Sequence, residues 1–508
     1  MRDKKRQGGG DLKKGKVYLV GAGPGDEGLI TIKGLTAIQQ ADVILYDRLI
    51  NPKLLDSAPS NCELIFCGKF PKQHMLKQEM INTILIEKAM KGFTVVRLKG
   101  GDPGVFGRVG EEAESLAAHE IPFEIVPGIS SGIAAPLYAG IPVTHREYGI
   151  SFAVVSAHDK SKEGKPKIDW SGLVSSVDTI AFYMGVSNIS YIAENLILHG
   201  KPQETPVILI RWGTYGRQQT LQGTLGDIAE KVKEEGMLNP AITLVGDIIS
   251  LRDKLKWFEN KPLYGRQILL ARTGTAVSSV AARMKEQGAD VIEFPKWAKK
   301  EVPINENTLN QLFMYDRILF TSPECINEFF DLLIKRKIDI RNVRATLYCF
   351  SEKSLKVIRD RGLSGQLASD MEDFGRLLIV GNRDFEKNRK GFNNIYGKHD
   401  ILQTSETVID ESFIPVVRNM LKEASLDTIV FPSSSSVNAF MENGGHYGIE
   451  VAEFIKKLTI VCMGSSSAQR LMEFGISPDS VPAEPSASEL VKELVRRGRL
   501  EKTEALIN

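Results

Sequence analysis

Short apolar runs separated by helical stretches and glycine-rich turns recur along most of this chain, and that alternation limits the fold more than any other feature. "KVYLVGAGPGD" is a strand entering a glycine-rich turn, "GLITIKGLTAIQQA" has helical spacing, and "DVILYDRLI" is again a strand and turn. "QEMINTILIEKAMKG" follows as a helix ending at Gly92, a C-cap position, and "FTVVRLKGGDP" returns to a strand. Strands alternating with helices build α/β domains with largely parallel sheets. At 508 residues the chain exceeds what one core fills, so about three or four such domains are expected.

The pattern shifts after "IPFEIVPGISSGIAAPLYAGIPVTHRE". "SFAVVSAH", "TIAFYMGV", "TPVILIRWG" and "AITLVGDIIS" read as strands, with "VSNISYIAENLILHG" a helix between two of them. A first half spanning 16–257 is therefore expected, split near residue 138 into two α/β domains. "LRDKLKWFENKPLYGRQ" is charged and broken by Pro262 and Gly265, which places a linker at 258–265. A second α/β half, 266–508, restarts with "RQILLARTG" and a helix through "VSSVAARMKEQGADVIEFP". Within it "DRILFTSPECINEFFDLL" and "LDTIVFPSSSSVNAFMENGG" align, setting Phe320 on Phe431, Ser322 on Ser433, Asn327 on Asn438 and Phe329 on Phe440. Each copy is an apolar strand, a hydroxyl-rich turn and an amphipathic helix. The serines read either as helix N-caps or as anion sites built on outward-facing N–H groups.

Charge excludes several functions. With 65 basic and 63 acidic residues the net charge is +2, no footprint for non-specific nucleic-acid binding, so any anion site must be built locally. Five cysteines without a CxxC pair or a paired histidine motif argue against a disulfide framework and against zinc; Cys62 and Cys67 read as buried thiols. "MRDKKRQGGGDLKKGK" lacks the apolar centre of a signal peptide, so residues 1–15 are expected to form a disordered basic tail. No run reaches membrane-spanning length. A cytosolic enzyme of small molecules, without membrane or nucleic-acid partners, is the expectation.

Three places carry chemistry. "GAGPGD" follows a strand but fails the dinucleotide fingerprint, because Asp26 stands where the third glycine belongs and Pro24 removes a backbone donor. "RLKGGDPGVFGR" places Gly100, Gly101 and Asp102 after another strand, with Lys99 and Arg108 beside them. It reads as a tight turn with solvated charges, or as a backbone that approaches a ligand closely. Asp47, Arg48 and Lys69 follow strand ends and are either surface ion-pair partners or a proton-transferring carboxylate beside cations for an acidic substrate.

"VYLVGAGPGD", "ADVILYDRLI", "CGK", "VVRLKGGDPGVFGRVGEE", "VPGISSGIAAPLYAGIPVTHRE", "FYMG" and "NPAITLVGDII" occur in this order from about Lys16 to Leu251. Together they resemble the uroporphyrinogen-III C-methyltransferase family of tetrapyrrole methylases. The resemblance implies a two-domain tetrapyrrole methylase fold, a homodimer, and S-adenosylmethionine-dependent methylation of two pyrrole carbons of uroporphyrinogen III to give precorrin-2. It places Pro24, Gly100, Gly101, Asp102, Val105, Ser130, Ser131, Met184 and Gly213 around the cofactor. Asp47 takes the position of the family's proton acceptor and Lys69 that of its proton donor. Arg48, Lys69 and Arg108 are candidates to hold substrate carboxylates. Val109 replaces a usual glycine, and Ser130-Ser131 a usual Thr-Ala pair.

The second half resembles uroporphyrinogen-III synthase through "RQILLARTG", the two aligned repeats, "TLYCFSEKSLKVIRDRGL" and "IVCMGSSSAQRLMEFGISPDSVPAEPSASELVKEL". That implies two α/β domains joined by a pair of linking segments, with the first and last parts packed together. It also implies ring closure of hydroxymethylbilane, with Thr321, Ser322, Ser433 and Ser434 holding substrate carboxylates. Leu402 in "DILQT" stands where the family tends to have tyrosine. A bifunctional tetrapyrrole enzyme is the leading reading. A methyltransferase whose second half only binds tetrapyrrole, and a nicotinamide-dependent oxidoreductase, are the rivals.

Overall fold

The computed structural model describes residues 14–68, 78–158, 165–382 and 395–507, with side chains described up to residue 498. Lys69 and residues 1–13 of the expected tail lie outside these residues. The end of that tail is already packed: Gly15 N donates to Ala89 O at 2.8 Å and Lys14 Nζ to His119 O at 3.0 Å. Two compact units form, one from residues up to Ala271 with Ser279–Phe294 and Pro415–Asn508, the other from Arg272–Ser278 and Pro295–Ile414.

The first unit opens with β1 (Val17–Gly21), β2 (Val43–Tyr46), β3 (Glu63–Phe66), β4 (Val95–Lys99) and β5 (Phe123–Val126). They pair in parallel in the order β3-β2-β4-β1-β5. Every residue of β2 and β4 is buried, as expected of strands covered on both faces. Helices α1 (Ile32–Gln39), α2 (Gln78–Met90), α3 (Val109–Ala118) and α4 (Ser131–Tyr138) make the crossovers or lead onward.

A second sheet holds β6 (Phe152–Ser156), β7 (Thr179–Tyr183), β8 (Pro206–Arg211), β9 (Gln219–Thr224) and β10 (Ala241–Val245) in the order β6-β7-β10-β8-β9. Only β6 and β7 run parallel; β10 is antiparallel to both neighbours, and β8–β9 is a hairpin. A short turn leaves no room for a crossover helix, so β9 must return antiparallel. Residues 258–265, read from sequence as a charged linker, are packed: Phe258 and Leu263 are buried, and Tyr264 OH donates to Gln218 O at 2.6 Å. Burying the Phe258 ring and the Leu263 side chain outweighs the breaking effect of Pro262 and Gly265.

The second half begins in the first unit with β11 (Gln267–Ala271) and β12 (Asp290–Phe294). The second unit then contributes β13 (Trp297–Lys300), β14 (Arg317–Phe320), β15 (Thr346–Cys349), β16 (Gln366–Leu367), β17 (Leu377–Gly381), β18 (Asp400–Gln403) and β19 (Glu406–Ile409). Its five-stranded sheet is parallel in the order β16-β15-β14-β17-β18, with Leu402 buried in β18. β13 and β19, the outgoing and returning segments, pair antiparallel. The chain re-enters the first unit with β20 (Thr428–Phe431) and β21 (Thr459–Cys462), completing a parallel sheet β12-β11-β20-β21. The first and last parts of this half therefore share one sheet. Among the described residues no helix is long and apolar enough to cross a membrane.

The sequence repeat is also a structural repeat. Ser322 (φ −155°, ψ 160°) caps the helix Pro323–Arg336 and Ser433 (φ −156°, ψ 163°) the helix Ser434–Asn443. Ring centroids of Phe320 and Phe329 lie 5.4 Å apart, those of Phe431 and Phe440 5.6 Å. Asn327 accepts from Arg361 and Asn438 from Arg470, each at 2.5 Å. Replacing Ser433 with alanine removes an acceptor for the Ser436 N–H. The Ser433→Ala chain should lose about 1 kcal/mol of stability in urea unfolding, and an unshifted midpoint would discount the cap.

Candidate active site

Both glycine-rich turns stand at carboxyl ends of parallel strands, where ligands settle in open α/β sheets. Gly23 and Gly101 form an antiparallel bridge, Gly101 N donating to Gly23 O at 2.7 Å and Gly23 N to Gly101 O at 3.2 Å. Gly101 has φ +66°, open to glycine at no steric cost. A Cβ on Gly21 would lie 2.6 Å from Gly128 N and 2.7 Å from Gly101 O, so only bare backbone fits where β1, β4 and β5 end.

Asp102 ties these loops together. One carboxylate oxygen accepts from Gly104 N at 2.7 Å and the other from Gly128 N at 2.9 Å. The loop after β5 is thereby held at the start of α4, where Ser130 and Ser131 sit. Tyr183, at the end of β7, completes the link: its hydroxyl accepts from Gly132 N at 2.5 Å and lies 2.6 Å from Ser130 Oγ. Burial, partly offset by these two contacts, pushes the Tyr183 phenol up. Met184 follows directly. Gly213 comes after β8 and presses on α4, where a Cβ would fall 2.4 Å from that of Ala135.

One cleft of about 940 Å³ results, within the roughly 300–1,000 Å³ that bound small molecules occupy. Pro24, Gly100, Gly101, Asp102 and Val105 line one wall, and Ser130, Ser131, Met184 and Gly213 complete it. Asp47, Arg48 and Arg108 reach the same space, as does Gly68 beside the undescribed Lys69. Of seven described non-glycine residues with positive φ, four (Phe106, Arg108, Met184 and Trp212) line this cleft. Backbone strain of that kind gathers at binding sites.

The charged candidates are paired rather than free. Arg97 Nη2 donates to Asp47 Oδ1 at 2.6 Å and Arg97 Nε to Glu112 Oε1 at 3.1 Å. Lys99 Nζ and Gln78 Nε2 reach that same Glu112 oxygen at 2.8 and 3.0 Å. Burial would lower Arg97, but Asp47 and Glu112 raise it above its ordinary value, whereas burial and the neighbouring Arg97 carry Lys99 down. Arg108 Nε donates to Glu111 at 2.8 Å. Arg48 Nε lies 2.8 Å from Glu423 Oε1, though its N–H is not aimed at that oxygen. The pair is Coulombic more than directional.

In the second half the predicted hydroxyls serve their own helices. Ser433 Oγ accepts from Ser436 N at 3.2 Å and Ser433 N donates to Ser436 Oγ at 3.0 Å, leaving Ser434 at the first helical position. In the second unit Ser322 Oγ accepts from Cys325 N at 3.2 Å and donates to Asn382 Oδ1 at 3.3 Å. Thr321 N donates to Val380 O at 3.0 Å. All five cysteines are buried and unbridged. No group of acidic, histidine or cysteine side chains among the described residues could hold a metal ion.

Sequence reasoning missed Arg97, Glu112, Phe106, Tyr183 and Trp212. A signal existed for Arg97, a charge inside the apolar run "TVVRL". Tyr183 adjoined a residue already singled out. Phe106 and Trp212 carry no sequence mark, because their positive φ is imposed by the turns around them.

The family model for tetrapyrrole (corrin/porphyrin) methylases matches residues 16–229, and that for uroporphyrinogen-III synthase HemD matches 402–492. A Bacillus subtilis protein described as uroporphyrinogen-III C-methyltransferase is 46% identical over 91% of this chain and 94% of its own length. A Ruminiclostridium josui protein described as porphyrin biosynthesis protein HemD is 34% identical over 92% of this chain and 95% of its own. The solved structure of a Thermus thermophilus uroporphyrin-III C-methyl transferase complexed with S-adenyl homocysteine is 37% identical, covering 47% of this chain and all of that one with a TM-score of 0.41.

Tyr183→Phe deletes the hydroxyl that joins Ser130 to Gly132. With a part-buried N–H left unpaired, the chain should lose about 1–3 kcal/mol in thermal unfolding, and an unchanged midpoint would remove Tyr183 as the link between the two sheets.

Proposed function

This chain belongs to the uroporphyrinogen-III C-methyltransferase family, and from that premise we propose that its first half transfers methyl groups from S-adenosylmethionine to uroporphyrinogen III while its second half makes that substrate from hydroxymethylbilane. The observation that carries the reading is the 46% identity to the Bacillus subtilis methyltransferase across both halves. The cleft supports it. A Cβ on Gly100 would come within 3.2 Å of Leu49 Cβ, so the wall is bare backbone on one side. Val105, Phe106 and Met184 add apolar and thioether surface. That mix of exposed peptide groups and apolar side chains suits a nucleoside joined to an amino acid.

Bound there, S-adenosylmethionine supplies an electrophilic methyl group on a sulfonium. The chain's own contribution is placement, since holding two reactants in line supplies much of the acceleration of a displacement. Gly100, Gly101 and Gly213 let the walls close on the donor, Asp102 and Ser130 fix the loops that hold it, and Ser131 lines the same space. A proton must leave the macrocycle after methylation, and the Asp47 carboxylate, just after β2, is assigned to accept it. Lys69, three positions beyond β3 in the sequence, is assigned as proton donor and cation, with Arg48 and Arg108 as partners for substrate carboxylates.

In the second half, Thr321, Ser322, Ser433 and Ser434 are assigned to substrate carboxylates through their helix N-termini. A second half that only binds tetrapyrrole gains no support, since the relative described as HemD spans both halves. The enzyme works in the cytosol as a homodimer. Phe123 and Ile125 lie exposed on edge strand β5, and Ile129, Ile133 and Leu137 continue the apolar face onto α4. An open strand edge beside apolar surface favours self-association.

Asp47→Asn should lower kcat for methylation by about 10²–10⁴-fold while S-adenosylhomocysteine still binds in calorimetry; full turnover would remove the proton-acceptor role. Supplied with hydroxymethylbilane, the intact chain should form the inverted uroporphyrinogen isomer. Accumulation of the non-inverted isomer alone would defeat the synthase assignment.

A further inference from the structure

Four ionisable side chains form one connected set beneath the cleft: Glu112, Lys99, Arg97 and Asp47. Their side-chain exposures are 0%, 5%, 3% and 31%: Asp47, Arg97 and Lys99 all border the cleft, but only Asp47 is appreciably exposed to the space where substrate must lie. Two cations and two carboxylates make the set neutral, with Asp47 supplying the charge that balances Arg97. Arg97 bridges the two carboxylates, giving Nε to Glu112 and Nη2 to Asp47 Oδ1. A planar guanidinium reaches the two acceptors from separate nitrogens held in one rigid plane, whereas an ammonium carries all its donors on a single nitrogen.

We propose that Arg97 is a positioning residue for methyl transfer: anchored by Glu112, it holds the Asp47 carboxylate by one oxygen and turns the other toward the reacting tetrapyrrole. This rests on the reading of Asp47 as proton acceptor. Among the described residues Asp47 Oδ2 makes no hydrogen bond, whereas Oδ1 is committed to Arg97 at 2.6 Å. The Asp47 N–H donates to Leu98 O at 3.2 Å, so backbone and side chain are both referenced to β4, the strand that delivers Gly100 and Gly101. One strand thus sets the carboxylate and the cofactor wall in a common frame. Stability gives little reason to bury such a group, since an apolar set of similar volume commonly stabilises a core as well or better.

Glu112 Oε1 collects three donors, from Gln78, Arg97 and Lys99, which leaves Arg97 little freedom to swing. If the set served only to fasten β2 and β4 to α3, its loss would weaken folding and leave the surviving chemistry independent of Asp47. If it acts through Asp47, its loss should cost nothing further once Asp47 has lost its charge.

The test is a double-mutant cycle on the full chain. Arg97→Lys keeps a cation against Glu112 but gives up the second arm. It should lower kcat for uroporphyrinogen III methylation about 10- to 100-fold, with the dissociation constant for S-adenosylhomocysteine within about twofold. In an Asp47→Asn background the same change should lower kcat less than about threefold further. Losses that multiply in full, or an Arg97→Lys enzyme with unaltered kcat, would overturn the proposal. An Asp47→Asn enzyme with full activity would remove the proton-acceptor reading itself and this proposal with it, a result distinct from multiplying losses. Should Arg97→Lys fail to fold by circular dichroism, Glu112→Gln reaches the link from its other end. There, losses shared with Asp47→Asn support the proposal and multiplying losses overturn it.

Discussion

The backbones leaving β1, β4 and β5 meet with no side chain between them, and the rest of the site depends on that contact. A Cβ on Gly128 would stand 2.3 Å from Gly101 O, and one on Gly21 2.6 Å from Gly128 N. Because these strand ends touch, the loops beyond them converge, and a single carboxylate, Asp102, can hold two of them. Convergence in turn sets Ser130 within reach of Tyr183 from the second sheet. Each step is short-range, a hydrogen bond or a van der Waals limit, yet together they shape a cleft from two sheets of different topology.

Charge is handled differently. The chain is nearly neutral, so the cations near the cleft cannot act through a broad field and must be placed individually. Each of those described is already partnered: Arg97 and Lys99 by Glu112, Arg108 by Glu111, Arg48 by Glu423. In the proposed reaction a substrate carboxylate reaching Arg48 or Arg108 takes the place of a protein carboxylate, an exchange of like for like. That limits gross affinity and makes geometry the discriminator. Glu423 belongs to the second half of the chain, so the exchange at Arg48 also links the two proposed activities through one side chain.

The readable part of the fold was the part written in local rules. Gly100 and Gly101 after an apolar strand, Ser322 and Ser433 before amphipathic helices, and the Phe320–Phe431 correspondence all follow from constraints spanning a few residues. The linker at 258–265 misled because its charges and breakers are local, whereas the burial of Phe258 and Leu263 is not. The β8–β9 hairpin and the antiparallel β10 were likewise invisible, since a strand's direction depends on its connections and not on its own pattern.

Sequence alone determined that this chain alternates strands and helices, repeats one strand–cap–helix unit, and bares backbone at two strand ends, because glycine, serine and apolar spacing act on neighbours. Tertiary structure alone decided which charges meet. Arg97 finds Glu112 across 15 positions and Asp47 across 50, while Lys99 finds Glu112 across 13. No local preference selects such partners; the parallel pairing of β2 with β4 and the packing of α3 beneath them bring the four side chains into one neutral set, buried except at Asp47.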